Sequence, residues 1–188
     1  MRYDETLQRH VPVSAEEWRI HLAEFADWYL GTVSAAHRSP ASDRPRGFRL
    51  RREPATARQL DAAEERLGVP LPPSLRGFLT ASNGFGPVSQ YTEALRSCEE
   101  IDWFRSTHPG CVNTVGGTGD RDVLLHALCL TRGEDVILLD TRTASADGEY
   151  GAYLFAVKYG ELDERYAGFG EVVLAGHAEI EWHRTHCV

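Results

Sequence analysis

Apolar residues recur at helical spacing in the first half of the chain and in short continuous runs in the second. Over residues 14–36, Trp18, Leu22, Phe25, Tyr29 and Val33 return every three or four positions, which predicts one amphipathic helix. Ser14 and Glu17 are placed as a capping box, and Glu16 and Glu17 lie in the first turn, where the helix dipole favours anions. A second helix is predicted from Thr56, with Gln59 as its capping-box partner. Its apolar face is Leu60, Ala63 and Leu67, and Gly68 is placed to end it. Val69-Pro70-Leu71-Pro72-Pro73 cannot continue that helix, because proline lacks an amide donor and drives the preceding residue extended. A third helix is predicted from about Ser74, with Leu75, Phe78 and Leu79 on one face and Asn83-Gly84 as its stop.

Beyond this point the period changes. Residues 97–104 fit a short helix, with Leu95, Ile101 and Trp103 or Phe104 buried. Gly116-Gly117-Thr118-Gly119-Asp120 reads as a turn before a strand. Three strands are predicted, over 123–130, 136–140 and 152–157, the first two joined by a hairpin loop over 131–135. Residues 141–150 form a polar stretch. A closing helix is predicted from Phe169 to about Arg184, with Gly176 an unfavourable residue inside it. Helix signals early and strand signals late predict an α+β fold: N-terminal helices packed on a mostly antiparallel sheet, with a closing C-terminal helix. The expected organisation is an N-terminal helix and Arg/Pro-rich connector over 1–52 and an α+β domain over 53–188, forming one compact unit.

The run Ala63-Glu64-Glu65-Arg66-Leu67-Gly68-Val69-Pro70-Leu71-Pro72-Pro73-Ser74-Leu75-Arg76-Gly77-Phe78-Leu79, followed by Ser82-Asn83-Gly84-Phe85-Gly86, resembles the SUKH superfamily. That group comprises bacterial immunity proteins and fungal cell-wall-synthesis regulators. Val136-Ile137-Leu138-Leu139-Asp140, Tyr150-Gly151-Ala152-Tyr153-Leu154-Phe155 and Tyr166-Ala167-Gly168-Phe169-Gly170-Glu171 look like its late strands and the start of its closing helix. The resemblance spans residues 53–185. It implies stoichiometric protein binding without chemistry by this chain: an immunity protein that neutralises a cognate bacterial toxin by occluding its active site. The alternative it leaves open is a regulatory protein–protein interaction module with no toxin. It carries over no catalytic residue and no cofactor.

Charge narrows the partner. The formal net charge of −8 argues against direct nucleic-acid binding. No apolar run reaches the length of a membrane span, and residues 1–10 are polar, so a cytoplasmic location is expected. From Arg132 to Val188 there are eleven Asp/Glu against five Lys/Arg. Such a surface suits an inhibitor of a toxin with a basic groove, a nuclease for example, because complementary fields speed association and select the partner. The candidate contacts are Asp140, Asp147, Glu149, Glu161, Asp163 and Glu164, with Tyr150 and Tyr159 as aromatic anchors. Phe85, between two glycines, either pins its loop to the core or adds an aromatic contact. Residues 41–58 are locally basic through Arg44, Arg46, Arg49, Arg51, Arg52 and Arg58, which reads as a solvated connector rather than an anion site.

Motifs for chemistry are sparse. The glycine loop at 116–120 lacks the lysine a P-loop needs. No Gly-x-Ser-x-Gly occurs, and the four cysteines form no CxxC pair. Adjacent acids at 99–100, 134–135 and 163–164 read as solvated. His177, His183, His186 and Cys187 crowd the C-terminus, where a frayed helix end competes with a zinc site that has no matching upstream pair. The expectation is therefore no enzyme activity and no metal.

Overall fold

Trp18, Leu22 and Phe25 are buried along one face of a helix, α1 (Ala15–Ala36). The structure, a computed structural model, describes residues 10–36, 50–114 and 118–186. The Ser14 amide donates to Glu17 Oε2 (2.8 Å) and the Glu17 amide donates to Ser14 Oγ (3.3 Å), so the expected capping box opens α1. The same device opens α2 (Ala57–Leu67), where Thr56 and Gln59 cap each other and Gly68 closes the helix at φ 73°. After the proline turn, α3 (Pro73–Ala81) buries Leu75, Phe78 and Leu79. It stops at Ser82, before Asn83-Gly84. Trp18 locks α1 onto this hairpin and onto the closing helix. Trp18 Nε1 donates to the Ser74 carbonyl (2.8 Å), and the indole meets Phe78 edge-on at 4.9 Å and Phe169 at 5.8 Å.

The remaining elements are β1 (Thr92–Leu95), β2 (Asp102–Trp103), α4 (Phe104–Thr107), α5 (Pro109–Thr114), α6 (Thr118–His126), β3 (Ala127–Cys129), β4 (Thr131–Gly133), β5 (Asp135–Ala144), β6 (Tyr150–Ala156), β7 (Glu161–Tyr166) and α7 (Phe169–His186). Strands β2-β3-β5-β6-β7 form one antiparallel sheet in that order, and β1 pairs with β4 beside it. The fold is α+β, as its sequence predicts, but with helices on both faces of the sheet. Alternate residues of β5 face opposite ways. Ile137 and Leu139 join the larger core with α1, α2, α3 and α7. Val136 and Leu138 join a second core with Phe104, Val112, Val123, Leu124 and Phe155.

Several elements differ from the periodicity. The apolar run 123–130 is not one strand: Val123 and Leu124 belong to α6, and only Ala127–Cys129 is extended. A short apolar run satisfies a buried helix and a buried strand equally. The glycine loop therefore precedes a helix; Gly116 and Gly117 themselves lie outside the described residues. The helix expected at 97–104 is a tight turn, then β2 and the single turn of α4, with Ile101 and Phe104 fully buried. Thr131–Gly133 is a strand because β1 supplies its partner. Strand β7 escapes periodicity because Glu161-Leu162-Asp163-Glu164-Arg165-Tyr166 offers few apolar positions. Gly176 sits in α7 for a reason of space: a Cβ there would lie 2.3 Å from the Val88 carbonyl oxygen.

Candidate functional site

The acids and tyrosines of the second half do not form one patch. They divide between the two ends of the β5–β6 hairpin, about 30 Å apart along the ten residues of β5.

At the end formed by the β5–β6 loop, the candidates serve the fold. Glu149 accepts from the Ser74 amide and from Ser74 Oγ, both at 2.7 Å. Helix α3 has Pro72 at its N-cap and no local side-chain cap, so a carboxylate from 75 residues away completes its first turn. Tyr150 is buried, and its hydroxyl donates to the Pro70 carbonyl (3.1 Å). These two residues grip the proline turn between α2 and α3 and are not free to anchor a partner. Asp140 is 1 % exposed. Arg142 Nε and Nη2 each donate to its carboxylate at 2.9 Å, and Arg142 also lies 3.7 Å from Asp122 on α6. The Arg142 amide also donates to Asp140 Oδ1 (3.1 Å), at the point where β5 slips its register against β6. Asp147 alone is exposed at this end. Phe85, 2 % exposed, packs on Phe25, Phe78 and His177 and takes no part in a surface.

The opposite end gathers the remaining candidates and adds three that the sequence reading passed over. The Val157 amide donates to the Glu134 carbonyl (3.2 Å), and the Asp135 amide donates to the Tyr91 carbonyl (3.2 Å). These bonds draw the β6–β7 turn, the β4–β5 turn and the start of β1 together. Asp135, Ala156 and Glu161 stand in one row of the ladder, so the two acids share a face. Tyr159 and Tyr91 are 69 % and 51 % exposed, and Glu134, Glu161 and Asp163 are exposed around them. The Asp135 carboxyl is pushed above the usual carboxylate range, first by burial and then by Glu134 and Asp163. Negative charge here is crowded, and Lys158 stands among it with its Nζ 5.4 Å from the Tyr159 ring centre. The Glu164 side chain lies outside what the structure describes. Tyr91, Glu134 and Asp135 are distant in sequence from the 147–164 cluster, and only strand pairing unites them.

The other motifs take structural places. Glu99 accepts from Gln59 Nε2 (2.6 Å) and Asn83 Nδ2 (3.0 Å), and Glu100 pairs with Arg52 and Arg132, so this acid pair ties loops together rather than standing solvated. Burial and then Glu99 push the Cys98 thiol up to about 11, which keeps it protonated. His177 leaves the C-terminal cluster altogether. Its ring is buried against Phe25 (3.7 Å between centres) and its Nδ1 is 2.9 Å from His21 Nε2. Val173, His177 and Ile180 share the inner face of α7, a spacing that marks a core position. Cys187, Arg44, Arg46 and Arg49 lie outside the described residues. Among the described residues no three His, Cys, Asp or Glu side chains converge as metal ligands, and no helix is long and apolar enough to cross a membrane.

The model of the SMI1 / KNR4 family (SUKH-1) matches residues 54–174, well over half of the chain. No curated protein matches it. Helix α1 and the last turns of α7 lie outside the matched span.

Proposed function

Because the chain belongs to the SMI1 / KNR4 family (SUKH-1), a family of immunity and regulatory protein-interaction domains, we propose that it is a cytoplasmic immunity protein that occludes the active site of a cognate bacterial toxin. The observation that carries this reading is the acidic end of the sheet. Two exposed tyrosines stand among Glu134, Asp135, Glu161 and Asp163 on backbone where hydrogen bonds brace two turns and the start of β1 against one another. A rigid acidic surface with aromatic anchors complements the basic groove of an enzyme that binds nucleic acid. Glu164 belongs to this surface by sequence, and Asp147 is a contact only for a partner that spans the hairpin. The mechanism needs no cofactor and no chemistry by this chain.

The alternative is a regulatory interaction module with a housekeeping partner; the family membership favours it equally, and the surface charge favours a basic partner in either case. The experiment begins with the genes beside this one. The terminal domain of a neighbouring large exported protein is expressed in a host with and without this chain. Restored growth is expected. Toxicity that persists at equal expression of both proteins points to the regulatory module.

A further inference from the structure

We propose that the outer edge of β7 receives an extended segment of a basic partner protein as one more antiparallel strand of the sheet, with two cationic side chains flanking an apolar one. Strand β7 is last in the sheet order, and among the described residues no strand lies beyond it. The opposite edge, β2, is only two residues long. An edge strand turns half of its backbone donors and acceptors away from the sheet, and an added strand binds by pairing with them.

The register fixes which groups face outward. The Val157 amide donates to the Glu134 carbonyl, so Asp135 and Ala156 are a non-hydrogen-bonded pair between β5 and β6. Ala156 therefore turns its own N–H and C=O toward β7, where Glu161 stands opposite. Successive residues of a strand point these groups to alternate edges, so Glu161 turns inward and Leu162 turns outward. Beyond Leu162 the register slips between the pairs Phe155↔Leu162 and Tyr153↔Arg165. This bulge confines regular pairing to the stretch around Leu162.

The side chains of that stretch select the occupant. Glu161, in the row of Asp135, is exposed, and so is Asp163, whose charge acts on Asp135. Leu162 stands in the row of Phe155 and Val136, half-buried against the second core. A strand laid about 4.8 Å away and centred on Leu162 sets one side chain beside Leu162 on that face. Its two neighbours fall beside Glu161 and Asp163 on the other. Lysine or arginine at both outer positions, with a β-branched residue between them, completes the three pairs. A second copy of this chain does not: pairing β7 with itself about Leu162 puts Glu161 opposite Asp163, acid against acid. Exposed Tyr159 stands on the turn that leads into β7, so this edge is continuous with the acidic end. That the segment belongs to a partner protein rests on the interaction reading above; the preference of the edge for a basic strand does not.

The test uses the whole chain and a synthetic peptide, acetyl-Thr-Arg-Val-Arg-Thr-amide, so no partner is required. NMR follows backbone amide shifts and amide exchange as the peptide is added at low salt. Saturable shifts at residues 161–163 and slowed exchange of the Leu162 amide are expected. Methylating the valine nitrogen of the peptide removes one ladder bond and keeps both charges, and should weaken binding about fivefold. A peptide with glutamate in place of both arginines should not bind the parent chain, and the double variant Glu161→Lys, Asp163→Lys should reverse that preference. Three results overturn the proposal: no saturable shift at 161–163, equal binding of the methylated peptide, or equal binding of the acidic one. Growth rescue uses no peptide. Rescue without peptide binding removes only this docking mode, and peptide binding without rescue removes only the toxin reading.

Discussion

Replacing Trp18 with alanine is expected to cost about 3–5 kcal/mol of folding stability, the range for truncating a fully buried large aromatic residue. Trp18 is 0 % exposed. It sits on α1, outside the span that the family match covers, yet its ring contacts Phe78 of α3 and Phe169 of α7 and its Nε1–H reaches the Ser74 carbonyl. The last contact joins α1 to the helix end that Glu149 caps. Trp18→Phe keeps most of the apolar volume and removes the donor, so its loss should be nearer 1 kcal/mol plus a small cavity term. Urea unfolding of both variants checks this. A loss below about 1 kcal/mol for Trp18→Ala would show that α1 is an appendage and that the core closes without it.

Acid should weaken the fold in two separate pH windows. Burial, and then the neighbouring His21, holds the His177 pKa well below 6.5. Below pH 6.5 the unfolded chain therefore takes up a proton at this site that the folded chain refuses. The unfolded state binds more protons, so stability falls as pH falls, by about 1.4 kcal/mol per unit from this group, and is level above pH 6.5. Among the described residues the titratable side chain acting on His177 is His21 on α1, and Phe25 and Phe85 pack against its ring. His177→Phe should flatten the profile between pH 6.5 and 5 relative to the parent chain. Equal slopes in the two proteins would contradict the assignment. The second window belongs to carboxylates. Glu17 is held down to about 2 by the Ser14 amide and then by His10. Burial pushes Glu99 upward, but its own amide, Asn83, Ser97 and Gln59 outweigh that and hold it at about 2. A depressed carboxylate stabilises the fold above its unfolded value of 4.5. That contribution is lost as pH falls from there toward 2.

What the sequence made legible was local. The caps at Ser14–Glu17 and Thr56–Gln59, the αL glycine at 68 and the apolar faces of α2, α3 and, from Trp18 to Tyr29, of α1 are set by residues three or four apart and stand where their spacing puts them; the Val33 side chain lies outside what the structure describes. What it hid depends on distant partners. Glu149 looked like a surface acid because nothing near it shows that Ser74 lies beneath it. Asp140 looked like one because burial of a strand position is invisible until a helix, here α6, covers that face. Strand β7 exists because β6 pairs with it, not because its own residues alternate. The acidic end illustrates both sides: Tyr159, Glu161 and Asp163 were identified by composition, while Tyr91, Glu134 and Asp135 reach them only through the strand register.

The partner-binding reading is tested most directly by measuring the affinity of the identified partner for the parent chain and for a triple variant, Glu134→Lys, Glu161→Lys and Asp163→Lys, by calorimetry at physiological salt. Asp147→Lys, at the far end of the hairpin, serves as the control. The triple variant should fold normally and lose on the order of 100-fold in affinity, with a weaker salt dependence, while the control stays within about twofold. Unchanged binding by the triple variant would contradict the acidic end as the interface and move the search to another face of the sheet.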